Sequence, residues 1–149
     1  KRAPKGLGVL PRQLTMKNVK KHLLVRLPWP PVQLSPNFRG HWAVVYPQKQ
    51  VYRRAAKLRT QAAREYVATP IRPVDGVSMT VTAHPSINRK RDQDNFIARL
   101  KAGFDGIADA LKVNDCTFVQ KGVRFGERAN PPFVEVDIEW EETEEVVSA

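Results

Sequence analysis

Ile97, Leu100, Phe104, Ile107 and Leu111 recur at i, i+3, i+7, i+10 and i+14. That spacing gathers large apolar side chains on one face of a helix, which must have an apolar surface to cover. Short strands supply it. Val77 to His84 alternates apolar and polar residues, and Phe133 to Trp140 sets Val134, Val136 and Ile138 on one side. Thr117 to Phe125 reads as another strand. His22 to Leu27 reads as a further one, stopped by Pro28-Trp29-Pro30-Pro31, whose prolines cannot continue a ladder. After a loop reaching about Pro47, Val51, Ala55, Leu58, Ala62 and Tyr66 predict an amphipathic helix over 50–67, with Arg53, Arg54, Lys57 and Arg64 on its other sides. The order β-α-β-α-β-β predicts an α+β fold: a small mixed sheet with two main helices.

A chain of 149 residues, 42% of them apolar, can build one ordinary core. The expected division is a basic, flexible arm at 1–21, one domain at 22–140 and an acidic, disordered tail at 141–149. Charge is distributed unevenly within a net of +10: residues 1–74 carry sixteen Lys and Arg against one acid, Glu65, whereas Glu139, Glu141, Glu142, Glu144 and Glu145 crowd the end. A basic surface of this kind attracts polyanions, and neutralising phosphates gives salt-dependent affinity for nucleic acid. Cys116, the single cysteine, excludes an internal disulfide and a Cys-rich zinc site, and fits a reducing compartment. No apolar run approaches the roughly 20 residues of a membrane span. The start of the chain lacks the apolar stretch of a secretion signal.

Within this basic chain, Arg89-Lys90-Arg91-Asp92-Gln93-Asp94-Asn95 sets paired acids among cations just before the helix. If the backbone is extended there, Asp92 and Asp94 share a side. Converging carboxylates repel unless one protonates or a hard divalent ion takes their oxygens, and magnesium needs only one or two carboxylates beside substrate phosphate and water. Asp115 is the natural third acid. Lys101, two helical turns after Asp94, has the reach to neutralise charge on a phosphate held at such an ion. Arg89, Lys90 and Arg91 would hold the flanking backbone. The pattern points to a nuclease.

Each of these residues has a plainer role. Asp94 or Asn95 is a good helix N-cap, and Asp92 a partner for Arg89 or Arg91. Lys101 can pair with Asp105 at i+4, and Asp115 can serve as a turn former after Asn114. His84 at a strand end, Trp29 as a packing anchor and Cys116 as a small buried filler need no chemistry.

Three stretches resemble the RusA-type Holliday-junction resolvases. Leu27-Pro28-Trp29-Pro30-Pro31, with Asn37 and Arg39 downstream, resembles the family's first strand and proline-rich loop. Arg91-Asp92-Gln93-Asp94-Asn95 resembles its D-x-D-N signature, and Lys101-Ala102-Gly103-Phe104-Asp105 the helix segment bearing its lysine. Asn114-Asp115 stands where the family has an acidic pair. The resemblance, over about 22–140, implies a RusA-like fold and a magnesium- or manganese-dependent endodeoxyribonuclease. Such an enzyme acts in the bacterial or phage-infected cytoplasm as a homodimer that nicks opposed strands of a four-way junction. On this basis Asp92, Asp94 and Asp115 would bind metal and Lys101, rather than Arg99, would be the catalytic cation; Asn37, Arg39, Asn95, Arg89, Lys90 and Arg91 would face DNA. The alternatives are a non-catalytic nucleic-acid-binding protein and a metal-dependent nuclease for other branched DNA or RNA.

Overall fold

The computed structural model describes residues 13–148. Its elements are β1 (Gln13–Pro28), α1 (Trp42–Ala63), β2 (Val77–His84), α2 (Gln93–Arg99), α3 (Lys101–Leu111), β3 (Phe118–Phe125) and β4 (Phe133–Ser148), with single 3-10 turns at Val32–Leu34 and Asp115–Thr117. The fold is α+β, with three helices and one mixed sheet of four strands in the order β1-β4-β2-β3. β4 is antiparallel to both β1 and β2, while β3 runs parallel to β2. A parallel neighbour requires a crossover, and α2 and α3 provide it.

β4 alternates buried Val134, Val136, Ile138 and Trp140 with the more exposed Glu135, Asp137 and Glu139. β2 does the same with Val77, Met79, Val81 and Ala83, within the bounds its sequence predicts. Leu27, Tyr52, Ala56, Leu100, Phe104, Ile107 and Leu111 close one cluster over that apolar face. Gly103 and Gly106 set the distance between α1 and α3. A Cβ on Gly106 would stand 2.1 Å from the Arg53 carbonyl oxygen and 2.8 Å from the Ala56 Cβ, so a hydrogen is all the site admits.

Several expectations from the sequence are corrected. The first strand is longer than 22–27: Gln13 to Lys21, expected in a flexible arm, pair with Trp140 to Ser148. The acidic tail is therefore strand through Ser148, because its glutamates lie across from lysines, as at Lys17 with Glu144 and Lys20 with Glu141. Residues 1–12 of the arm lie outside the described residues. α1 starts at Trp42, eight residues before the expected Gln50, and encloses Pro47. The His41 ring caps it by accepting from the Ala43 amide at 3.1 Å. The second helix is two segments joined at Leu100, whose amide bonds the Ile97 carbonyl at 2.9 Å in a tighter i+3 turn. Cys116 is exposed rather than buried. Among the described residues, no helix is long and apolar enough to cross a membrane.

Candidate functional site

Asp92 is the N-cap of α2. One carboxylate oxygen accepts from the Asp94 amide at 2.9 Å and the Asn95 amide at 3.4 Å, and the other accepts from Asn95 Nδ2 at 3.2 Å. The cap thus falls on Asp92 rather than on Asp94 or Asn95. Gln93 already begins the helix, so strand alternation does not align residues 92 and 94. Asp94 lies in the first turn, exposed, where the helix dipole favours its charge.

The third predicted acid does reach the predicted lysine. Asn114 caps the 3-10 turn that follows α3, its side chain accepting from the Cys116 amide at 3.1 Å. That turn carries Asp115 back to α3, where Lys101 Nζ bonds Asp115 Oδ2 at 2.9 Å and Asp105 Oδ1 at 2.8 Å. The i+4 pairing and the long-range one coexist. The hydrogen bonds to Asp105 and then Asp115 hold the Lys101 ammonium above its ordinary pKa, and the hydrogen bond from Lys101 holds Asp115 below the usual carboxylate range. One helical turn further, Arg53 of α1 grips Asp109 of α3 with two bonds of 2.7 and 2.9 Å, which likewise depress the Asp109 carboxyl.

A cavity of about 360 Å³ lies over this group, walled by Arg53, Lys101, Asp105, Asp109 and Asp115. A neighbouring one of about 460 Å³ shares Arg53, Lys101 and Asp105 and adds Tyr46, Lys49 and Arg99. Asp92 and Asp94 line neither. Among the described residues, no three His, Cys, Asp or Glu side chains gather as a metal-binding group. The structure therefore joins Asp115 to Lys101 and keeps Asp92 and Asp94 at the other end of α2.

Arginines with no acid partner among the described residues form the second part of the site. Arg91 lies 5.4 Å from the Trp29 ring centre and Arg99 5.8 Å from that of Phe96, while the two rings are 5.0 Å apart. Arg91 donates to the Ile87 carbonyl at 3.2 Å, and Arg99 to the Pro30 carbonyl. Both Nε atoms are buried without a partner among the described residues. Burial lowers both guanidinium pKa values, and the neighbouring arginines lower them further. Through Trp29 and Pro30 the proline-rich loop thus packs on the helix that follows the paired acids.

No family model matches the chain. An uncharacterized protein of Xylella fastidiosa (strain Temecula1 / ATCC 700964) is 36% identical over 105 residues, 70% of this chain and 67% of that protein. The two belong to one family.

For this family member, the remaining candidates divide between surface and packing. Arg89, Lys90 and Arg39 are exposed, and the Asn37 amide bonds Ser35 Oγ at 3.3 Å in the loop before α1. His84 stacks on Phe133 at 4.6 Å, and its ring nitrogens meet the Glu127 carbonyl at 2.8 Å and Glu135 at 2.9 Å, a packing and hydrogen-bonding role. The Arg53–Asp109 pair, 56 positions apart, and the seat of Arg99 have no sequence signal; the Lys101–Asp105 spacing was the visible part of this network.

Proposed function

We propose that the chain is a magnesium-dependent, structure-selective endodeoxyribonuclease of the RusA resolvase type, acting on four-way junctions as a homodimer in the cytoplasm. The observation that carries this reading is Asp115, brought from beyond α3 to within 2.9 Å of Lys101 on a strongly basic protein. An isologous pair of sites would suit a pseudo-symmetric junction.

The donors are of the type a hard cation takes, but the structure does not gather them: Asp92 and Asp94 stand at the start of α2, away from Asp115, and among the described residues no three acids form a metal-binding group. Asp94 is exposed, with no side-chain partner among the described residues, whereas both Asp92 oxygens accept within the α2 cap and Asp115 is engaged by Lys101. On this reading Asp94 and Asp115 would be the carboxylates open to magnesium and Asp92 would join them only on leaving the cap; the ion would supply a polarised phosphoryl oxygen and an acidified water. Lys101, charged throughout the neutral range, is the cation to offset negative charge developing on the phosphorus oxygens. Arg89, Arg91 and Arg99, which have no acid partner among the described residues, are matched to the flanking phosphates.

The test is cleavage of a labelled four-way junction and a matched duplex, with magnesium and with chelator, alongside Asp94→Asn. Paired nicks that need magnesium and vanish in the variant are expected; binding without any cleavage overturns the reading. A non-catalytic nucleic-acid-binding protein is the second reading, favoured by Asp92 being committed to the α2 cap.

A further inference from the structure

α1 contains Lys49, Arg53, Arg54, Lys57 and Arg59 and no acid. Trp42, Tyr46, Lys49, Arg53 and Lys57 follow one another at intervals of four, three, four and four, so they lie within about 80° of one helical face. It borders the packed row of Tyr52, Ala56 and Thr60, which crosses it at the end of α1, where Thr60 falls in line with Trp42. Trp42 is 72% exposed and Tyr46 56%, and the sole ring near Trp42 among the described residues is His41, at 5.6 Å. Two large rings one turn apart in open water serve neither core nor cap. Tyr46 also walls the 460 Å³ cavity together with Lys49, Arg53, Arg99 and Lys101, so the aromatic end of the face leads directly to the lysine of the candidate site. Arg53 is already held by Asp109, whereas Lys49 and Lys57 are exposed and form no salt bridge among the described residues, Lys57 acting on Asp109 only through its charge.

We infer that this face of α1 is a stacking platform for unpaired DNA bases, with Trp42 and Tyr46 receiving the bases and Lys49 and Lys57, further along the helix, the phosphates of the adjoining backbone. Exposed rings continued along one face by cations are the chemistry of single-strand binding: rings accept any base on its π-face, and the cations follow the backbone. A phosphate-only surface would not need the rings, and an apolar protein interface would not run on into a row of cations. The inference rests on the nucleic-acid part of the proposed function and supplies what that reading lacks, a contact for the strand that leaves the duplex at a branch point.

The experiment is equilibrium binding in chelator of a short oligothymidylate and of an abasic oligomer of equal length, read by tryptophan fluorescence and by a labelled oligomer. Trp140 is buried and Trp29 packed, so Trp42 dominates the accessible signal. The thymidylate is expected to bind about 10-fold or more tightly than the abasic strand and to quench the emission. Trp42→Ala with Tyr46→Ala should bring that ratio close to one while leaving the salt dependence, which the lysines set, unchanged. Trp42→Phe should retain most of the preference. Both rings are exposed, so unchanged circular dichroism is expected to accompany the loss. Equal binding of both oligomers by the wild type overturns the inference, as does a preference that survives the double variant or affinity for anionic vesicles in place of base preference. Base preference without any magnesium-dependent cleavage would sink the nuclease reading alone; junction cleavage without base preference would sink the platform alone.

Discussion

Gly106→Ala should destabilise the protein although alanine is the better helix former. In the middle of α3 the substitution contributes about 1 kcal/mol of intrinsic preference. Its methyl carbon, however, would lie 2.1 Å from the Arg53 carbonyl oxygen and 2.8 Å from Ala56 Cβ, both parts of α1 that cannot rotate away. Relief requires α1 to retreat by about 1 Å or more, a gap that forfeits a quarter to a half of the dispersion energy of each contact it opens. Overpacking against backbone belongs at the upper end of the usual 1–3 kcal/mol, so the net loss is about 2 kcal/mol. Urea unfolding followed by circular dichroism should show a lower midpoint at unchanged slope, and heating a transition lowered by about 4–8 °C. Gly103→Ala meets the ring edge of Tyr52 at 2.8 Å and Leu27 Cδ1 at 3.3 Å, side-chain atoms that can yield, and should cost less. A Gly106→Ala variant as stable as the wild type would refute the close approach of α1 and α3, and with it the placing of Arg53 on Asp109.

Asp92→Ala should lose the α2 cap and about 1 kcal/mol in denaturant unfolding, whereas Asp92→Asn keeps an equally good cap and should lose cleavage without that cost. The Asp115 carboxyl is depressed in the folded chain, so its ion pair persists above the ordinary carboxylate pKa and is lost as pH falls through the folded value; the raised Lys101 pKa sets the opposite limit, reached as pH rises through it. In Lys101→Met, an NMR titration should find the Asp115 pKa raised toward the ordinary carboxylate range, since its largest cause of depression is gone. Arg99→Gln should weaken duplex binding and reduce its log–log salt slope by about one. Glu142 accepts from Trp140 Nε1 at 2.8 Å and from the Arg72 amide at 3.2 Å, so Glu142→Ala should cost about 1–3 kcal/mol in urea unfolding.

What was legible in the sequence is what one segment decides by itself. β2 reads directly because Val77, Met79, Val81 and Ala83 alternate into the core, and the Leu100, Phe104, Ile107 and Leu111 face packs as its period requires. The outer halves of β1 and β4 were illegible, since Lys17 to Lys20 and Glu141 to Glu144 have no apolar face; each becomes a strand only opposite the other, more than 120 positions away. The start of α1 was hidden by Pro47, which cannot donate to the Ala43 carbonyl and so reads as a boundary. At the site, the helical pattern located Lys101, and a turn placed Asp115 beside it. The cap was misassigned because Asp92, Asp94 and Asn95 are equally suited to it by type, and only the backbone decides among them.

The position of β4 between β1 and β2 has a consequence for biosynthesis. β1 has no neighbour in the sheet except β4, so a nascent chain carries it unpaired until the ribosome has added the stretch from Pro28 to Phe133. At about 5–20 residues per second that wait is roughly 5–20 s. Throughout it, Leu23, Val25 and Leu27 remain an open apolar ladder that a neighbouring nascent chain can pair with. Chains cut short before Phe133 should therefore accumulate as aggregates rather than as a smaller folded core. Holdase chaperones would be needed from the first strand to the last.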